Sequence, residues 1–362
     1  MRIAFDRQTF TIQKYGGISR YFSDLYLGLR QRPECEAELL FKRHQNAYLA
    51  EQGIGINLHP MAAKWYIKGL TKGNLELPLA KLHDIHHSTY YLGRPKKRTN
   101  NIKLVSTLYD MIPELLPSFF QGNPHVNKLC WFNASDLIIS ISDTAAADLA
   151  YFQPHLADRI RRIHLYSGFN RESPQSKPLS LAQSNNPYLL FVGSRGAYKN
   201  TTMLLRAFAA SKPKRYGHRL VFAGGGNFNQ VEMAELNRLG INNYVLKVDA
   251  NDAELWYLYQ NSKAVVVPSM AEGFSLPLVE GLAADVPVVC SDIPVHREVA
   301  GSFATLVNPL QLQDWADIFS SNKNLVRPSE ILGSTPYTQQ CNYYSKERMV
   351  DEHLAAYSLL LA

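Results

Sequence analysis

Cysteine is scarce and scattered. The four copies, Cys35, Cys130, Cys290 and Cys341, form no CxxC pair, which removes zinc ribbons and dithiol redox motifs from consideration. No HExxH motif occurs among the histidines and no DxD among the acids, so no metal centre is expected. A GxxxxGK[ST] phosphate loop is absent, and so is a GxGxxG turn after the first strand. Gly224-Gly225-Gly226 comes late and lacks the acid that a dinucleotide site needs downstream, which argues against a dehydrogenase. Long apolar runs are missing too. Ala264–Pro268 is far below the roughly 20 residues of a membrane span. Met1–Asp6 has no apolar leader core. A cytoplasmic protein is expected.

What remains is an ordinary globular composition: 46% hydrophobic and 19% charged residues, too apolar for disorder. At 362 residues the chain calls for two domains of about 150–200 residues each. Residues 1–170 hold 21 Lys and Arg against 14 Asp and Glu, and the remainder holds 17 of each. The whole excess of positive charge thus sits in the first half. It points to an acidic partner (anionic lipid, a phosphate-bearing acceptor or nucleic acid) or to a solubility surface. Met61–Leu79 adds Lys64, Lys68 and Lys72 at four-residue spacing among Trp65, Tyr66, Ile67 and Leu70. A basic helix with aromatics can lie on the inner face of an anionic membrane; a partly buried surface helix is the alternative.

Short β-rich runs alternate with amphipathic stretches along the chain. Arg2–Phe5, Lys103–Leu108, Asp136–Ile141 and Arg162–Leu165 read as strands, then Tyr188–Val192, Arg219–Ala223, Val245–Val248, Ala264–Val267 and Val286–Cys290. Several are apolar on both faces, as central parallel strands are. Helical stretches such as Thr201–Ser211, Gln230–Leu239 and Asp252–Asn261 lie between them. The alternation predicts an α/β protein with two doubly wound sheets. Arg171–Pro187, with Pro174, Lys177-Pro178 and Ser184-Asn185-Asn186, reads as a linker between them.

The most informative stretch is Val265–Ile293, VVVPSMAEGFSLPLVEGLAADVPVVCSDI. A strand ends at Pro268-Ser269, and a loop follows with Glu272, Gly273 and Phe274. Pro277 suits the first turn of a helix, where its missing N–H costs nothing. Unpaired amides at such a helix start attract anions. Carboxylates accept hydrogen bonds from vicinal hydroxyls, which sugars offer. Glu272 and Glu280 flank this helix start; the plainer alternative is that they only complement the helix dipole.

Two further loops have similar chemistry. Phe191–Asn200, FVGSRGAYKN, leaves a strand through Gly193 and precedes a helix. Arg195 and Lys199 add cations to a helix end that already favours anions, which predicts a bound phosphate. A planar fork and a point charge together suit a diphosphate. Gly16-Gly17 opens a helix after the first strand, where amides can approach phosphate, although such a pair is often a plain turn.

The pattern EGFxLPLxE at Glu272–Glu280 resembles the E-x7-E motif of the family-4 retaining glycosyltransferases, also called glycosyl transferases group 1. The resemblance runs over nearly the whole chain and is most specific across 188–300. It implies the GT-B fold: two Rossmann-like domains facing across a cleft, with an acceptor-side domain at 1–168, a donor-binding domain at 187–344 and a crossing helix within 345–362. It implies that Glu272 meets hydroxyls of the donor sugar and Glu280 those of the ribose. The amides of Phe274, Ser275 and Leu276, with Gly273, would approach the sugar and phosphates. Gly193, Arg195 and Lys199 would hold the diphosphate, and Gly16 and Gly17 would face it from the first domain. The family more often has Gly at position 275 and His at position 109, where this chain has Ser and Tyr. Asp110 and His87 are candidates for acceptor or sugar contacts, with loop ordering as the alternative.

The implied reaction moves a hexose from a nucleotide diphosphate sugar, UDP-glucose before GDP-mannose, to a saccharide or lipid-linked acceptor during polysaccharide biosynthesis. It proceeds with retention, without metal or cofactor, and the departing phosphate takes the acceptor's proton. Nucleic acid is not an expected partner. The competing readings are a nucleotide-sugar epimerase of the same fold and a non-catalytic basic module for lipid or nucleic acid.

Overall fold

A computed structural model describes residues 1–71, 83–95, 101–181, 186–212, 217–320 and 325–362. Residues 72–79 of the basic stretch, Lys72 among them, and Ser184-Asn185 lie outside the described residues. The chain divides into two compact units, Met1–Leu165 with Lys346–Ala362, and Tyr166–Ser345.

The first unit is built on a parallel sheet of six strands: β1 (Arg2–Phe5), β2 (Glu36–Leu39), β5 (Ile85–Ser88), β6 (Lys103–Leu108), β7 (Leu137–Ser140) and β8 (Ile160–Arg162). Their order is β2-β1-β5-β6-β7-β8. The short β3 (Arg43–His44) and β4 (Ile56–Asn57) form a separate parallel pair. Expected strand positions hold to within a few residues at β1, β6, β7 and β8. β5 reads Ile-His-His-Ser and is buried along its whole length. Its histidines mask a central strand, because they find hydrogen-bond or electrostatic partners only after the chain has folded.

The last helix, Lys346–Leu361, packs on the helix Gly17–Leu29 of this unit. Buried polar pairs tie it down. His353 Nε2 lies 2.6 Å from the Tyr21 hydroxyl. His87 Nδ1 lies 2.6 Å from the Tyr357 hydroxyl, and its Nε2 lies 2.8 Å from Thr107 Oγ1. Arg348 donates to the carbonyls of His164 and Leu165. Burial pushes the His353 imidazole down to about 4 and holds His87 well below its ordinary value. An unfolded histidine titrates near 6.5, so the unfolded chain takes up protons first as the pH falls. Stability is therefore complete above about pH 6.5 and drops toward pH 4, with His353 alone responsible for about 3 kcal/mol. Thermal melts across that range check it, and a flat Tm from pH 7 to 4.5 would refute it.

The second unit has its own parallel sheet: β9 (Tyr188–Val192), β10 (Arg219–Ala223), β11 (Val245–Val248), β12 (Ala264–Val267), β13 (Val288–Ser291) and β14 (Thr305–Val307). The order is β11-β10-β9-β12-β13-β14. Leu189, Phe191, Phe222 and Val266 fill its core against Leu204, Phe208, Trp315 and Phe319 from the covering helices. Two of those helices, Gln230–Leu239 and Asp252–Gln260, start in capping boxes, Asn229/Glu232 and Asn251/Glu254. Each box satisfies orphan amides reciprocally.

The stretch expected to be a linker belongs instead to this second unit. Within it the Ser176 amide donates to the Ala253 carbonyl and Leu181 is buried; just before it, Phe169 stacks on Trp256 at 5.2 Å. Its polar composition hides these anchors.

The second sheet reverses direction at β9. The chain runs outward through β10 and β11, then returns to place β12 on the other side of β9. Ligands of open α/β sheets bind outside the carboxyl ends of strands at such a switch point. The loops leaving β9 and β12 are the two that the sequence singled out.

Candidate active site

The two loops are joined by backbone and by charge. The Met270 amide donates to the Tyr198 carbonyl at 2.7 Å. A single 3-10 turn, Ala197–Lys199, ends at Asn200, whose left-handed φ of 57° turns the chain into the helix Thr201–Ala210. Lys199 leaves this turn and donates to both oxygens of Glu272, at 2.6 and 2.8 Å. The Ser269 hydroxyl donates to the same carboxylate at 2.7 Å. Burial alone would raise the Glu272 carboxyl. The Lys199 ammonium and the hydrogen bonds from Lys199 and Ser269 outweigh it and hold the group below its usual range. An acid assigned to sugar and a lysine assigned to phosphate are thus one ion pair.

Behind the pair lies a residue that sequence reasoning missed. His296, in the helix Pro294–Ala300, is fully buried. Its Nδ1 lies 2.8 Å from the Ser291 carbonyl, so Nδ1 carries the proton. Nε2 is a buried acceptor with no hydrogen-bond partner among the described residues. Burial pushes this imidazole down, and it senses the charges of both Glu272 and Lys199. Nothing local in the sequence separates it from an ordinary core histidine.

The helix Leu276–Ala283 begins as expected, with Pro277 in its first turn. Phe274 is buried, its ring edge-on to Tyr344 at 5.8 Å. Glu280 is also buried, and its Oε2 accepts a 2.6 Å hydrogen bond from the Tyr259 hydroxyl. Gly273 completes the loop before Phe274. Ser275 stands just before the helix with φ 83°, a conformation that costs an L-residue about 1–2 kcal/mol and glycine almost nothing. Its hydroxyl is buried without a partner among the described residues. Ser275→Gly removes both penalties against a gain in unfolded-state entropy, and is expected to stabilise the protein by about 1 kcal/mol. Differential scanning calorimetry checks this; a lower Tm would contradict it.

Arg195 requires a correction. Its side chain is only 5% exposed and its Nε donates to Glu232 at 2.7 Å. The terminal nitrogens donate to the carbonyls of Gly224, Gly226 and Asn227. The guanidinium also lies over the Phe228 ring, 4.7 Å from its centre. The charge expected to need a phosphate is met by Glu232 instead, and the fork clamps the glycine turn after β10. Gly225 has φ 73°, and a Cβ there would come within 2.8 Å of both Arg195 and the Gly193 carbonyl. Gly193 leaves β9 with its amide bonded to Ala223.

In the first unit the candidates fare differently. Gly16 caps the helix Gly17–Leu29, which follows a short helix, Gln8–Ile12, rather than β1 directly. A Cβ on Gly16 would lie 2.6 Å from the Gln13 side-chain oxygen, which accepts from the Ser19 amide. Gln13 therefore already serves part of this helix start. Asp110 is half-buried and accepts from the Ile112 amide at 3.0 Å, ordering the turn Ile112–Leu115. His87 is a second correction: it is wholly interior, with both ring nitrogens engaged. Tyr109 is buried as well and donates to the Thr89 carbonyl at 2.8 Å.

Two Rossmann-like halves in one chain, with the last helix returned to the first half, make this a protein of the GT-B class. It is a glycosyltransferase: residues 173–321 match the family described as glycosyl transferases group 1. It is 24% identical over 319 residues to O-antigen chain mannosyltransferase B of Escherichia coli, covering 79% of this chain and 78% of that protein. A 102-residue stretch is 35% identical to O-antigen chain mannosyltransferase RfbU of Salmonella typhimurium, 28% of either chain. Among solved structures, Anabaena Alr3699/HepE in complex with UDP-glucose matches with a TM-score of 0.67 at 18% identity, over 98% of this chain and 100% of that one. The lipopolysaccharide outer core galactosyltransferase WaaB, in its apo form, matches at 0.63 and 16% identity, over 99% and 100%. These two likenesses are of fold.

Proposed function

We propose that this protein transfers a mannosyl group from GDP-mannose to a saccharide or lipid-linked acceptor in O-antigen-type polysaccharide assembly, with retention and without a metal. The observation that carries the reading is the Lys199–Glu272 pair at the switch point of the second sheet. Each partner holds the other in a defined rotamer until a ligand arrives. A diphosphate competes for the ammonium of Lys199, and the start of the helix Leu276–Ala283 adds its dipole. The released Glu272 carboxylate then accepts hydrogen bonds from sugar hydroxyls. Glu280, braced by Tyr259, is the ribose acid.

As the bond from the anomeric carbon to phosphate oxygen breaks, negative charge grows on the leaving diphosphate, and Lys199 stabilises it. No carboxylate is assigned as a covalent nucleophile. The acceptor oxygen bonds to the same face of the sugar, and its proton passes to the departing phosphate. The sequence alone leans toward a UDP donor; the names of the curated relatives support mannose instead.

Calorimetric titration with GDP, UDP and ADP tests the donor. Tighter binding of UDP overturns the choice of base, and absence of binding at millimolar concentration overturns the whole reading. Proton NMR of the product tests retention. A free epimer of the donor, with no transferred sugar, would make the protein an epimerase.

A further inference from the structure

The Lys199–Glu272 pair has to break before a ligand can use either partner. A carboxylate left behind in a largely buried place then needs a new counter-charge. The structure holds one candidate beside it. β12 and β13 are neighbours in the second sheet. Glu272 lies in the loop leaving β12, and His296 lies in the first turn of the helix that follows β13. Adjacent strand ends thus bring the acid and the imidazole together, and the charge of Glu272 acts on the ring.

His296 is wholly interior. Its Nδ1 is committed to the Ser291 carbonyl, while Nε2 is buried with no hydrogen-bond partner among the described residues. Buried polar atoms of native proteins are nearly always paired, and each exception calls for a reason. A ring kept only for packing would be better replaced by an apolar side chain of its size. Ser275, in the loop from β12, and Ser291, at the end of β13, also have buried hydroxyls without a partner among the described residues. The polar capacity gathered at these strand ends exceeds what the fold consumes.

We propose that His296 is a positioning residue that takes over Glu272 when a nucleotide diphosphate sugar draws Lys199 away, its Nε2 gaining a proton and donating to the vacated carboxylate. The inference rests on the donor site argued above. One N–H bond forms at Nε2, its proton comes from the buffer, and the proton returns there when the donor leaves. The Lys199 and Glu272 side chains are 19% and 10% exposed, so solvent reaches the edge of the pair. The carboxylate keeps its charge and its orientation, and sugar hydroxyls can bond to it without facing an uncompensated ion.

The sign of the linkage follows. In the free protein burial and the Lys199 charge hold the imidazole below its ordinary 6.5, against the pull of Glu272. Departure of Lys199 removes one opposing effect and unmasks the pull, so the bound form holds the proton to higher pH. Other groups on the surrounding elements are already engaged. Glu280 accepts from Tyr259, burial keeps the Cys290 thiol protonated, Tyr344 donates to the Val299 carbonyl, and Arg297 pairs with Asp292.

Calorimetric titration of the full chain with GDP-mannose and with UDP-glucose, in buffers of different ionisation enthalpy, counts the protons. Neither diphosphate diester titrates near neutrality, so the count belongs to the protein. Uptake of up to about one proton is expected near pH 7, with affinity falling by up to about tenfold per unit as the pH rises. His296→Asn keeps a donor for the Ser291 carbonyl and cannot titrate. It should abolish the uptake and raise the KM for the nucleotide sugar more at about pH 6.5 than at about pH 8.5. Histidine ring nitrogen NMR of the parent, which needs no variant, should show one neutral ring becoming an imidazolium on binding. A ring that stays neutral overturns the proposal. So does uptake that survives His296→Asn, which would put the proton on Glu272 itself, and so does an equal KM change at both pH values. Binding without any proton uptake removes this role and leaves the donor site standing, whereas failure of both nucleotide sugars to bind removes the two together.

Discussion

Replacing Lys199 with alanine is expected to lower turnover by roughly two to three orders of magnitude, the usual effect of removing one preorganised group from a developing charge. The same change should cost up to about 3 kcal/mol of stability, because Glu272 then keeps a buried charge with no counter-ion. The two effects separate in the variant Lys199→Ala/Glu272→Gln. Its neutral amide should restore most of the Tm and leave turnover low. A double variant that regains both would reduce Lys199 to a structural role.

pH sharpens the distinction. In the parent protein the Glu272 carboxyl is held below 4.5, so its contribution to stability is present above that pH and fades as the pH falls below it. Without Lys199, burial dominates and raises the carboxyl. Acid should then relieve the single variant, narrowing its Tm deficit toward pH 5. A deficit independent of pH would mean that Glu272 is not the group left uncompensated.

Arg195→Ala is expected to act on stability rather than on nucleotide binding. It strands Glu232 and three carbonyls of the turn after β10. Losing one partner of a buried pair costs about 3 kcal/mol, which for a unit of this size lowers Tm by about 6–12 °C. Lysine should not rescue it, because a point charge cannot span a carboxylate and three carbonyls at once. Nucleoside diphosphate affinity of the folded variant should change little. Lost affinity with an unchanged Tm would return Arg195 to the phosphate site.

The site was partly legible from the sequence. Pro277, Gly193 and the two loops could be found because a strand exit and a helix start are written in adjacent residues. The partners of the charges could not. Arg195 looked like a surplus cation because Glu232 lies 37 residues on, and nothing in either segment names the other. His87 looked like a ligand because its acceptors come from Thr107 and from Tyr357, 270 residues away. His296 had no local signal at all, since its interest lies in a nitrogen left bare beside a distant acid.

Sequence by itself determined the α/β alternation, the matching strands from β9 to β12, the caps that start the helices and the glycine and proline positions at the switch point. These follow from side-chain periodicity and backbone preference, which act within about ten residues. Tertiary structure alone decided that Lys199 and Glu272 are one pair, that Arg195 clamps a turn and that Ser275 sits at positive φ. It also decided that Trp65 faces water. Charge neutralisation, burial and backbone strain depend on which segments meet in space, and only the folded chain brings those segments together.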